Sequence, residues 1–402
     1  MSADDGGGSP VSRPRVGVGV AGFGWMGQAH ARSYRRLPML FPERSADPEL
    51  VAVSDTVPER AADGVASFGF REATADWRAV VEHPDVDVVV VTAPNMLHVE
   101  IVEAAAAARK HVFCEKPVGG TPEQTVRAAG AAQAAGVITG VGYNYRFAPL
   151  VRYVKQLLER GDLGEVTAYR GRFFSTYGSD PLGVLSWRFL VDEGGFGASS
   201  DLLSHAIDLA HLLVGPIVRV TGSRATFIHE RPLPHAGGTH YGRGSPGDPT
   251  GPVTNEDYVS LLVEFADGTP GTFEASRALV GPESQMAFDL YGTRGAAAWD
   301  LERLNELRLY LAGDEPHTGY TTVLGGERFP HHGRFAPGSA NGIGFEDLIA
   351  IEDFEFLQAV ARGRPHEPGF DDAVRVVAVQ DALVRSWETG RWEDVLLHEV
   401  GV

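Results

Sequence analysis

The hydrophobic positions in the first third of the chain form short apolar runs separated by longer helical patterns. One run, residues 86–92, is almost uninterrupted and β-branched, which is typical of a strand buried on both faces. Repeated alternation of strand and helix predicts right-handed crossovers and a parallel sheet. The predicted strands are 15–21, 50–55, 86–92, 111–115 and 136–142, and the predicted helices are 26–37, 58–68, 76–82, 98–108 and 122–135.

The pattern changes after residue 143, where several runs alternate between apolar and polar residues in the manner of antiparallel strands. Residues 231–254 are crowded with Pro and Gly and show no periodicity, so a long surface loop is predicted there. A helix is predicted at 150–160, and two closing helices are predicted at 346–361 and 371–389. The predicted strands of this part are 166–174, 217–228, 257–265, 271–279, 285–292 and 295–301.

Two domains are the natural expectation for 402 residues, because a single hydrophobic core rarely extends that far. The change of pattern predicts an α/β domain at 15–143 and an α+β domain at 144–402 with a large, mostly antiparallel open sheet. Residues 1–14 are rich in Gly, Ser, Asp and Pro and are predicted to form a disordered tail rather than a signal peptide. No stretch reaches the roughly 18 apolar residues of a membrane span, so no membrane association is predicted.

The formal net charge of −18 at pH 7 describes a strongly acidic protein. Such a surface repels nucleic acid and anionic membranes, which favours a small molecule as the partner. Any anionic cofactor then has to be held by local features such as backbone N–H groups. Cys114 is the only cysteine, so no intramolecular disulfide is possible, and this fits a cytoplasmic location.

A glycine-rich loop lies between the first predicted strand and the first predicted helix. In such a loop the first glycine permits a tight turn, the second lets the backbone approach a pyrophosphate, and the third lets helix and strand pack closely. The helix start adds free N–H groups and a favourable dipole for phosphate. This context predicts a Rossmann dinucleotide-binding domain, although a turn of glycines that binds nothing is the alternative. The loop residues are Gly22, Phe23, Gly24, Trp25, Met26 and Gly27.

Asp55 ends the second predicted strand, where an acid is placed to contact the cofactor ribose. Its carboxylate would accept hydrogen bonds from a ribose hydroxyl and would repel a 2′-phosphate. The sequence therefore favours NAD over NADP, with an ordinary surface aspartate as the alternative.

Hydride transfer between a ketone and an alcohol also needs a group that gives or takes a proton, and Lys and His suit this task. Lys116 follows the predicted strand 111–115, and the carboxyl ends of parallel strands face the ligand crevice. Asp201 and His205 lie four residues apart after a run of glycines, hence on one helical face, and Asp208 lies three residues beyond. A carboxylate beside a histidine can orient the ring. A solvated lysine and a packed histidine are the alternatives that spacing alone leaves open.

The 14 histidines raise the question of a metal. His235 and His240 lie in the Pro- and Gly-rich region, and His331 and His332 lie in another predicted loop. None has partners at a recognised zinc spacing, so no metal site is predicted.

Together these segments resemble the Gfo/Idh/MocA family of sugar and cyclitol oxidoreductases. The Glu-Lys-Pro and Asp-x-x-x-His elements in combination are specific, whereas the later half resembles the family mainly in layout. The matches follow the family's order and are Gly22 to Gly27 with Ala29-His30, Thr92-Ala93-Pro94-Asn95 with His98, Glu115-Lys116-Pro117, Tyr143 to Phe147, Trp187-Arg188 and Gly194 to Asp208.

The resemblance implies a role for each matching residue. Lys116 would hydrogen-bond the substrate oxygen at the reacting carbon, His205 would donate or accept the proton, and Asp201 would orient the substrate or tune the site. The family also implies a homodimer or homotetramer that forms through the open sheet. Residues expected beside the cofactor are Thr92, Asn95, His98 and Glu115, and those expected to line the substrate pocket are Asn144, Tyr145, Arg146, Trp187 and Arg188.

The leading hypothesis is an NAD-dependent dehydrogenase acting on a sugar, a sugar derivative or a cyclitol. An NADP-dependent ketosugar reductase of natural-product biosynthesis and a glycosidase that retains NAD are two other enzyme hypotheses. A non-catalytic NAD-binding regulator is the non-enzyme hypothesis, and it would not need Lys116 or His205.

Overall fold

The computed structural model describes residues 13–234, 242–313 and 318–397, and the first of its sheets is parallel. The six strands of this sheet are β1 (Arg15–Ala21), β2 (Asp47–Ser54), β3 (Glu72–Thr74), β4 (Val88–Val91), β5 (His111–Cys114) and β6 (Thr139–Val141). They lie in the order β3-β2-β1-β4-β5-β6, and all neighbours run parallel. This is the Rossmann strand order, in which ligands bind beyond the carboxyl ends where the order reverses. The predicted α/β fold is confirmed, whereas residues 1–12 of the predicted tail lie outside the described residues.

The helices of the first region start and stop at residues that satisfy their free backbone groups. The carboxylate of Asp76 accepts from the Arg78 backbone N–H, and Thr121 caps the helix that begins at Pro122. Gly136 ends that helix in a left-handed conformation with φ +66°. The helices are α1 (Trp25–Leu40), α2 (Pro58–Asp63), α3 (Trp77–Glu82), α4 (His98–Ala107) and α5 (Pro122–Ala135).

Several predicted boundaries in this region are wrong, and β3 was not predicted. Strand β2 begins at Asp47 instead of residue 50, and β4 covers only Val88–Val91 of the predicted run 86–92. Helix α1 continues past Leu37 to Leu40 and tolerates Pro38 in its last turn. The predicted helix 58–68 divides into α2 and a π-helical turn that Gly69 ends with φ +83°. The predicted strand 136–142 shortens to Thr139–Val141, because Gly136 still belongs to the end of α5.

The second large sheet has nine strands, and its order is β16-β15-β14-β13-β7-β12-β11-β8-β17 when the strands are numbered along the chain. Its neighbours are antiparallel except for β7 and β12, which run parallel. The predicted, mostly antiparallel sheet is therefore confirmed. Its strands are β7 (Val166–Ser175), β8 (Ile217–Ala225), β11 (Tyr258–Phe265), β12 (Pro270–Ser276), β13 (Ser284–Gly292), β14 (Gly295–Asp300), β15 (Glu306–Leu311), β16 (Thr321–Leu324) and β17 (Glu393–Asp394).

The region 231–254 is not the continuous loop that its composition predicts. Strands β9 (Glu230–Pro232) and β10 (Thr250–Pro252) form a small antiparallel pair, and residues 235–241 between them lie outside the described part. The short strands β15, β16 and β17 were also absent from the prediction. Strands β17 and β16, of two and four residues, are too short to show a recognisable alternation. The six-residue β15 was overlooked despite its alternating burial.

The remaining helices are α6 (Pro149–Glu159), α7 (Val191–Gly194), α8 (Ser204–Leu213), α9 (Phe345–Arg362) and α10 (Phe370–Thr389). Helix α10 lies on the nine-stranded sheet, where Ser386 Oγ accepts from the Gly222 backbone N–H at 3.1 Å. Helix α9 instead returns to the first sheet and packs against α1, where Arg32 forms a bidentate pair with Glu346. A late segment thus covers the Rossmann sheet, and a domain boundary at 143/144 stays a prediction. No helix within the described ranges is both long and apolar enough to cross a membrane.

Candidate active site

The glycines of the loop after β1 are required for two different reasons. Gly22 has φ +96°, and a Cβ there would lie 2.6 Å from the Ala93 nitrogen. A Cβ on Gly27 would lie 2.2 Å from the carbonyl oxygen of Gly22, so close packing of α1 on β1 requires this glycine. A Cβ on Gly24, by contrast, would have no atom of the described residues within 4 Å. The space above Gly24 therefore fits the close approach of a phosphate group.

The start of α1 at Trp25 presents its N–H groups at this space. Gly24 occupies the N-cap position and has no side chain to satisfy them, so phosphate oxygens are suitable partners. Trp25 is 58% exposed and stacks on Phe345, with ring centroids 5.5 Å apart. Phe23 is buried and meets Phe68 edge-on, which anchors the loop. Phe23 and Gly27 thus shape the loop, Gly24 borders the open space, and Met26 belongs to the first turn of α1 that follows it.

Asp55 holds the glycine loop in place. Its Oδ2 accepts from the Phe23 backbone N–H at 2.9 Å, and its Oδ1 accepts from the Val57 backbone N–H at 2.8 Å. Each oxygen keeps a further lone pair for a ribose hydroxyl. Arg60 Nη1 lies 3.9 Å from Oδ2 and offsets part of the negative charge.

Thr92, Asn95 and His98 lie on the neighbouring loop after β4, and each binds a backbone carbonyl. Thr92 Oγ1 donates to the Gly22 oxygen at 2.5 Å, and Asn95 Nδ2 donates to the Gly194 oxygen at 3.3 Å. His98 is buried with its two ring nitrogens 2.8 Å from the carbonyl oxygens of Pro117 and Ala93. Burial lowers the pKa of His98, so the ring is neutral and can donate to only one of them. His98 thus lies between the loop after β4, at Ala93, and the turn after β5, at Pro117.

Lys116 and Asp201 form the central pair of the site. Lys116 follows β5, and its Nζ donates to Asp201 Oδ1 at 2.7 Å and to the Asp201 carbonyl oxygen at 2.9 Å. The hydroxyl of Tyr177 donates to Asp201 Oδ2 at 2.7 Å. Burial alone would raise the pKa of Asp201, but Lys116 and then Arg188 hold that pKa well below its usual value. Asp201 is therefore charged at neutral pH and forms an ion pair with the lysine.

His205 lies beside this pair at the start of α8. Its ring meets that of Tyr145 at a centroid distance of 4.8 Å and those of Tyr143 and Phe173 at 5.9 Å. Burial, reinforced by the charge of Lys116, lowers the pKa of His205 well below 6.5. His205 Nδ1 is buried and has no hydrogen-bond partner among the described residues. His205 is thus neutral at physiological pH and can accept a proton.

The glycine run before Asp201 allows the two halves of the site to meet. Gly195 has φ +79°, and a Cβ there would lie 3.0 Å from the Gly120 oxygen, in the turn that follows Lys116. A Cβ on Gly197 would lie 1.9 Å from the Glu256 oxygen. Asp201 itself belongs to a π-helical turn, Ser199–Leu203, that leads into α8. Such turns are frequent at functional sites.

The five residues predicted to line the pocket are placed differently from one another. Arg146 is buried and donates through Nε to Asp208 at 2.7 Å and through Nη2 to Asp372 at 3.1 Å. Its guanidinium therefore pairs with two carboxylates inside the protein. Burial raises the pKa of Asp208 to about 7, although Arg146 opposes this. Asn144 is buried, Tyr145 packs on His205, and Trp187 and Arg188 stack at 4.1 Å and are half-buried.

Sequence reasoning missed Tyr177 entirely and did not select Tyr143 or Phe173. Tyr177 stands 24 residues before Asp201 in no recognisable motif, so no local signal could have identified it. Tyr143 belongs to the matched segment 143–147 and could therefore have been selected from the sequence.

No group of three or more His, Cys, Asp or Glu side chains in the described ranges is arranged to hold a metal ion. His331 contacts Glu355 at 3.1 Å, and His332 contacts the Asn341 carbonyl at 2.7 Å. His235 and His240 lie outside the described residues.

Comparison with protein-family models agrees with this fold. A model of an oxidoreductase family with an NAD-binding Rossmann fold matches residues 16–143, and a GFO/IDH/MocA C-terminal domain model matches residues 151–298. The fold and the cofactor loop thus define an NAD-binding oxidoreductase.

Curated relatives and solved structures match along nearly the whole chain. Levoglucosan dehydrogenase of Pseudarthrobacter phenanthrenivorans is 37% identical over 94% of this chain and 98% of its own. Inositol 2-dehydrogenase of Rhizobium meliloti is 27% identical over 92% of this chain and 96% of its own. A solved complex of levoglucosan dehydrogenase with NADH and levoglucosan aligns with a TM-score of 0.89 at 35% identity, over 95% of this chain and 99% of that one. The chain belongs to the Gfo/Idh/MocA oxidoreductase family, which includes sugar and cyclitol dehydrogenases.

Proposed function

We propose that this protein transfers a hydride between NAD and a secondary alcohol or ketone carbon of a sugar, sugar derivative or cyclitol. The observation that carries the proposal is the Lys116–Asp201 pair, 2.7 Å long, beside the neutral His205. A charged donor and an uncharged proton acceptor stand together at the carboxyl edge of the Rossmann sheet, where a ligand crevice is expected.

In the direction of oxidation, each residue has a separate task. NAD, held by the loop Gly22–Gly27 and by Asp55, would supply the hydride acceptor for the substrate carbon. Lys116 donates a hydrogen bond to the substrate oxygen and stabilises the negative charge that develops there. His205 accepts the hydroxyl proton, and Asp201, itself held by Tyr177, orients Lys116. In the reverse direction His205 returns the proton.

The substrate class rests on the relatives, which are named as levoglucosan and inositol dehydrogenases. A panel of levoglucosan, myo-inositol, D-glucose and D-xylose with NAD and with NADP tests it, read as absorbance of the reduced cofactor. We expect NAD reduction with at least one anhydrosugar, sugar or cyclitol. Tight NADH binding without turnover of any alcohol or of the corresponding ketones would contradict the proposal and favour a regulator.

The preference for NAD should depend on the charge of Asp55. Asp55→Asn keeps an oxygen for the Phe23 N–H but removes the repulsion toward a 2′-phosphate. We expect the ratio of NADPH to NADH affinity to rise by about tenfold, measured by fluorescence titration of both cofactors. Asp63→Asn, on an exposed aspartate of the next helix that bonds Ser67, is the matched control and should leave the ratio unchanged. An unaltered affinity ratio in Asp55→Asn would show that Asp55 does not select NAD over NADP.

We also propose that two or four copies associate through the outer face of the nine-stranded sheet. Alternation along β11 and β12 leaves Leu262, Thr272 and Glu274 exposed on that face, and Leu262 is 51% exposed. A second copy of the chain would cover this apolar side chain. Light scattering should give a dimer or tetramer mass that Leu262→Arg lowers, and an unchanged mass would exclude this face. A cytoplasmic location stays a prediction.

A further inference from the structure

A buried polar cluster lies behind Lys116, and the proposed reaction does not use it directly. Its members are His30 of α1, Glu115 at the end of β5, and Glu352 and Asp353 of α9, none more than 9% exposed. Three separate parts of the chain therefore meet in one enclosed group of charges. Burying charges in this way is costly unless they are paired, so the pairing is informative.

His30 occupies the centre of the cluster, between two carboxylates. Its Nδ1 lies 2.9 and 3.1 Å from the two oxygens of Asp353, and its Nε2 lies 3.4 Å from Glu115 Oε1. Burial alone would lower the pKa of His30, but Asp353 and then Glu115 raise it well above 6.5. With a carboxylate at each ring nitrogen, the ring donates on both sides as an imidazolium.

Glu115 is held on three sides, and one of them is the backbone of Lys116. Its Oε2 accepts from the Lys116 backbone N–H at 3.2 Å, while Oε1 faces His30. A Cβ on Gly142 would lie 2.8 Å from the Glu115 carboxylate, so only glycine leaves room for it. The position of this carboxylate therefore bears directly on the peptide that carries Lys116.

The remaining titratable groups around His30 are uncharged. Both carboxylate oxygens of Glu352 are buried without partners among the described residues, and burial together with Glu115 raises its pKa well above the ordinary value. Burial, followed by Asp353, likewise raises the pKa of Tyr34, which lies one turn along α1 from His30. Glu352 and Tyr34 thus stay protonated, and one imidazolium faces two carboxylates.

We propose that His30 is a positioning residue for the reaction: by donating to Asp353 and to Glu115, it connects α9 to the Lys116 peptide and sets the direction in which Lys116 approaches Asp201. Asp353 of α9 lies 323 positions along the chain from His30, and its bond to the ring links α9 through Glu115 to the peptide of Lys116. Loss of the proton from His30 would remove a donor from one of the two carboxylates and release the Lys116 peptide. The inference rests on the proposed function only where turnover is its readout.

Asp353→Asn tests this role by removing one of the two carboxylates that hold the proton on His30. We expect the pKa of His30 to fall into the accessible range, so that kcat declines about tenfold as pH rises through that pKa. The decline should be absent from the wild type. It should also be absent from the double variant His30→Gln/Asp353→Asn, whose kcat stays low at every pH.

Glu346→Gln is the matched control, because it removes an α1–α9 ion pair without touching the cluster. It should show no new pH dependence, and the affinity for NADH should stay within about threefold in all variants. A flat profile in Asp353→Asn, a decline that persists in the double variant, or the same decline in Glu346→Gln would each overturn the role of His30. If Asp353→Asn does not fold, Glu115→Gln serves in its place, since it removes the other carboxylate.

A second readout needs no substrate and separates this inference from the proposed function. The chain contains three lysines, Lys110, Lys116 and Lys155, so lysine labelled with ¹³C at Cε gives three signals that Lys110→Arg and Lys155→Arg assign. In Asp353→Asn the Lys116 signal should shift with pH, and this shift should vanish in the double variant. If the Lys116 signal does not shift as His30 titrates, the inference is overturned even in an active enzyme. If the signal shifts in a protein that turns over no alcohol, only the proposed function is contradicted.

Discussion

Lys116→Met is expected to lower kcat at least about 100-fold, and up to about 10,000-fold, while NADH still binds. Methionine keeps most of the side-chain length and removes the ammonium that donates to Asp201 Oδ1 through a hydrogen bond of 2.7 Å. It also removes the positive charge that stabilises negative charge on the substrate oxygen. Steady-state rates with the best substrate of the panel, together with NADH titration by fluorescence, measure both effects.

Two controls make this result specific. Lys155→Met replaces a half-exposed lysine of α6 whose nearest carboxylate is that of Glu159, and it should retain wild-type turnover. Lys116→Arg keeps the charge but not the compact ammonium, so it should recover only part of the rate. Near-normal turnover in Lys116→Met with intact NADH binding would rule out the proposed mechanism.

His205→Asn is expected to reduce kcat by about 100-fold or more, because it removes the group that takes the hydroxyl proton. The pH profile provides a second readout. Since the pKa of His205 lies well below 6.5 in the folded protein, protonation of His205 should not slow wild-type oxidation near pH 6.5. An inflection near 6.5 that disappears in His205→Asn would contradict the neutral, buried ring described above.

The same depressed pKa affects stability in a direction that can be stated in advance. Below about pH 6.5 the unfolded chain protonates this histidine while the folded chain does not, so folding loses free energy as pH falls. His205→Asn should therefore show a smaller decrease in melting temperature between about pH 7 and about pH 5 than the wild type. His211→Gln, on the same helix with a pKa lowered by burial to about 3, should share that stability effect but keep normal turnover.

Much of the cofactor half could be predicted from sequence because its signals are local. Gly22 and Gly27 are dictated by turn and packing geometry within a few residues, and the β-branched run around Val88–Val91 identifies a buried strand by composition alone. Lys116 could be selected because the carboxyl ends of parallel strands share one edge of the sheet. Asp201 and His205 depended on their four-residue spacing and on the family resemblance.

The predictions were least informative where a side chain's role depends on distant partners. Arg146 was expected in the substrate pocket, and no motif indicated that its guanidinium pairs with Asp208 and Asp372. His98 was expected beside the cofactor, and no motif indicated that its ring lies between the carbonyl groups of Pro117 and Ala93. Residue type and position in a motif cannot reveal which buried charge or carbonyl will be close in space.

By itself, the sequence determined the class of fold and the cofactor loop, because periodicity and turn chemistry act over a few neighbouring positions, and it supplied Lys116 and His205 as candidates for proton transfer. Only the tertiary structure decided which of these residues meet. Lys116 reaches Asp201 across 85 positions, and His30 reaches Asp353 across 323. Contacts of that separation are set by packing of whole elements, and here the return of α9 onto α1 brings together the buried charges behind Lys116.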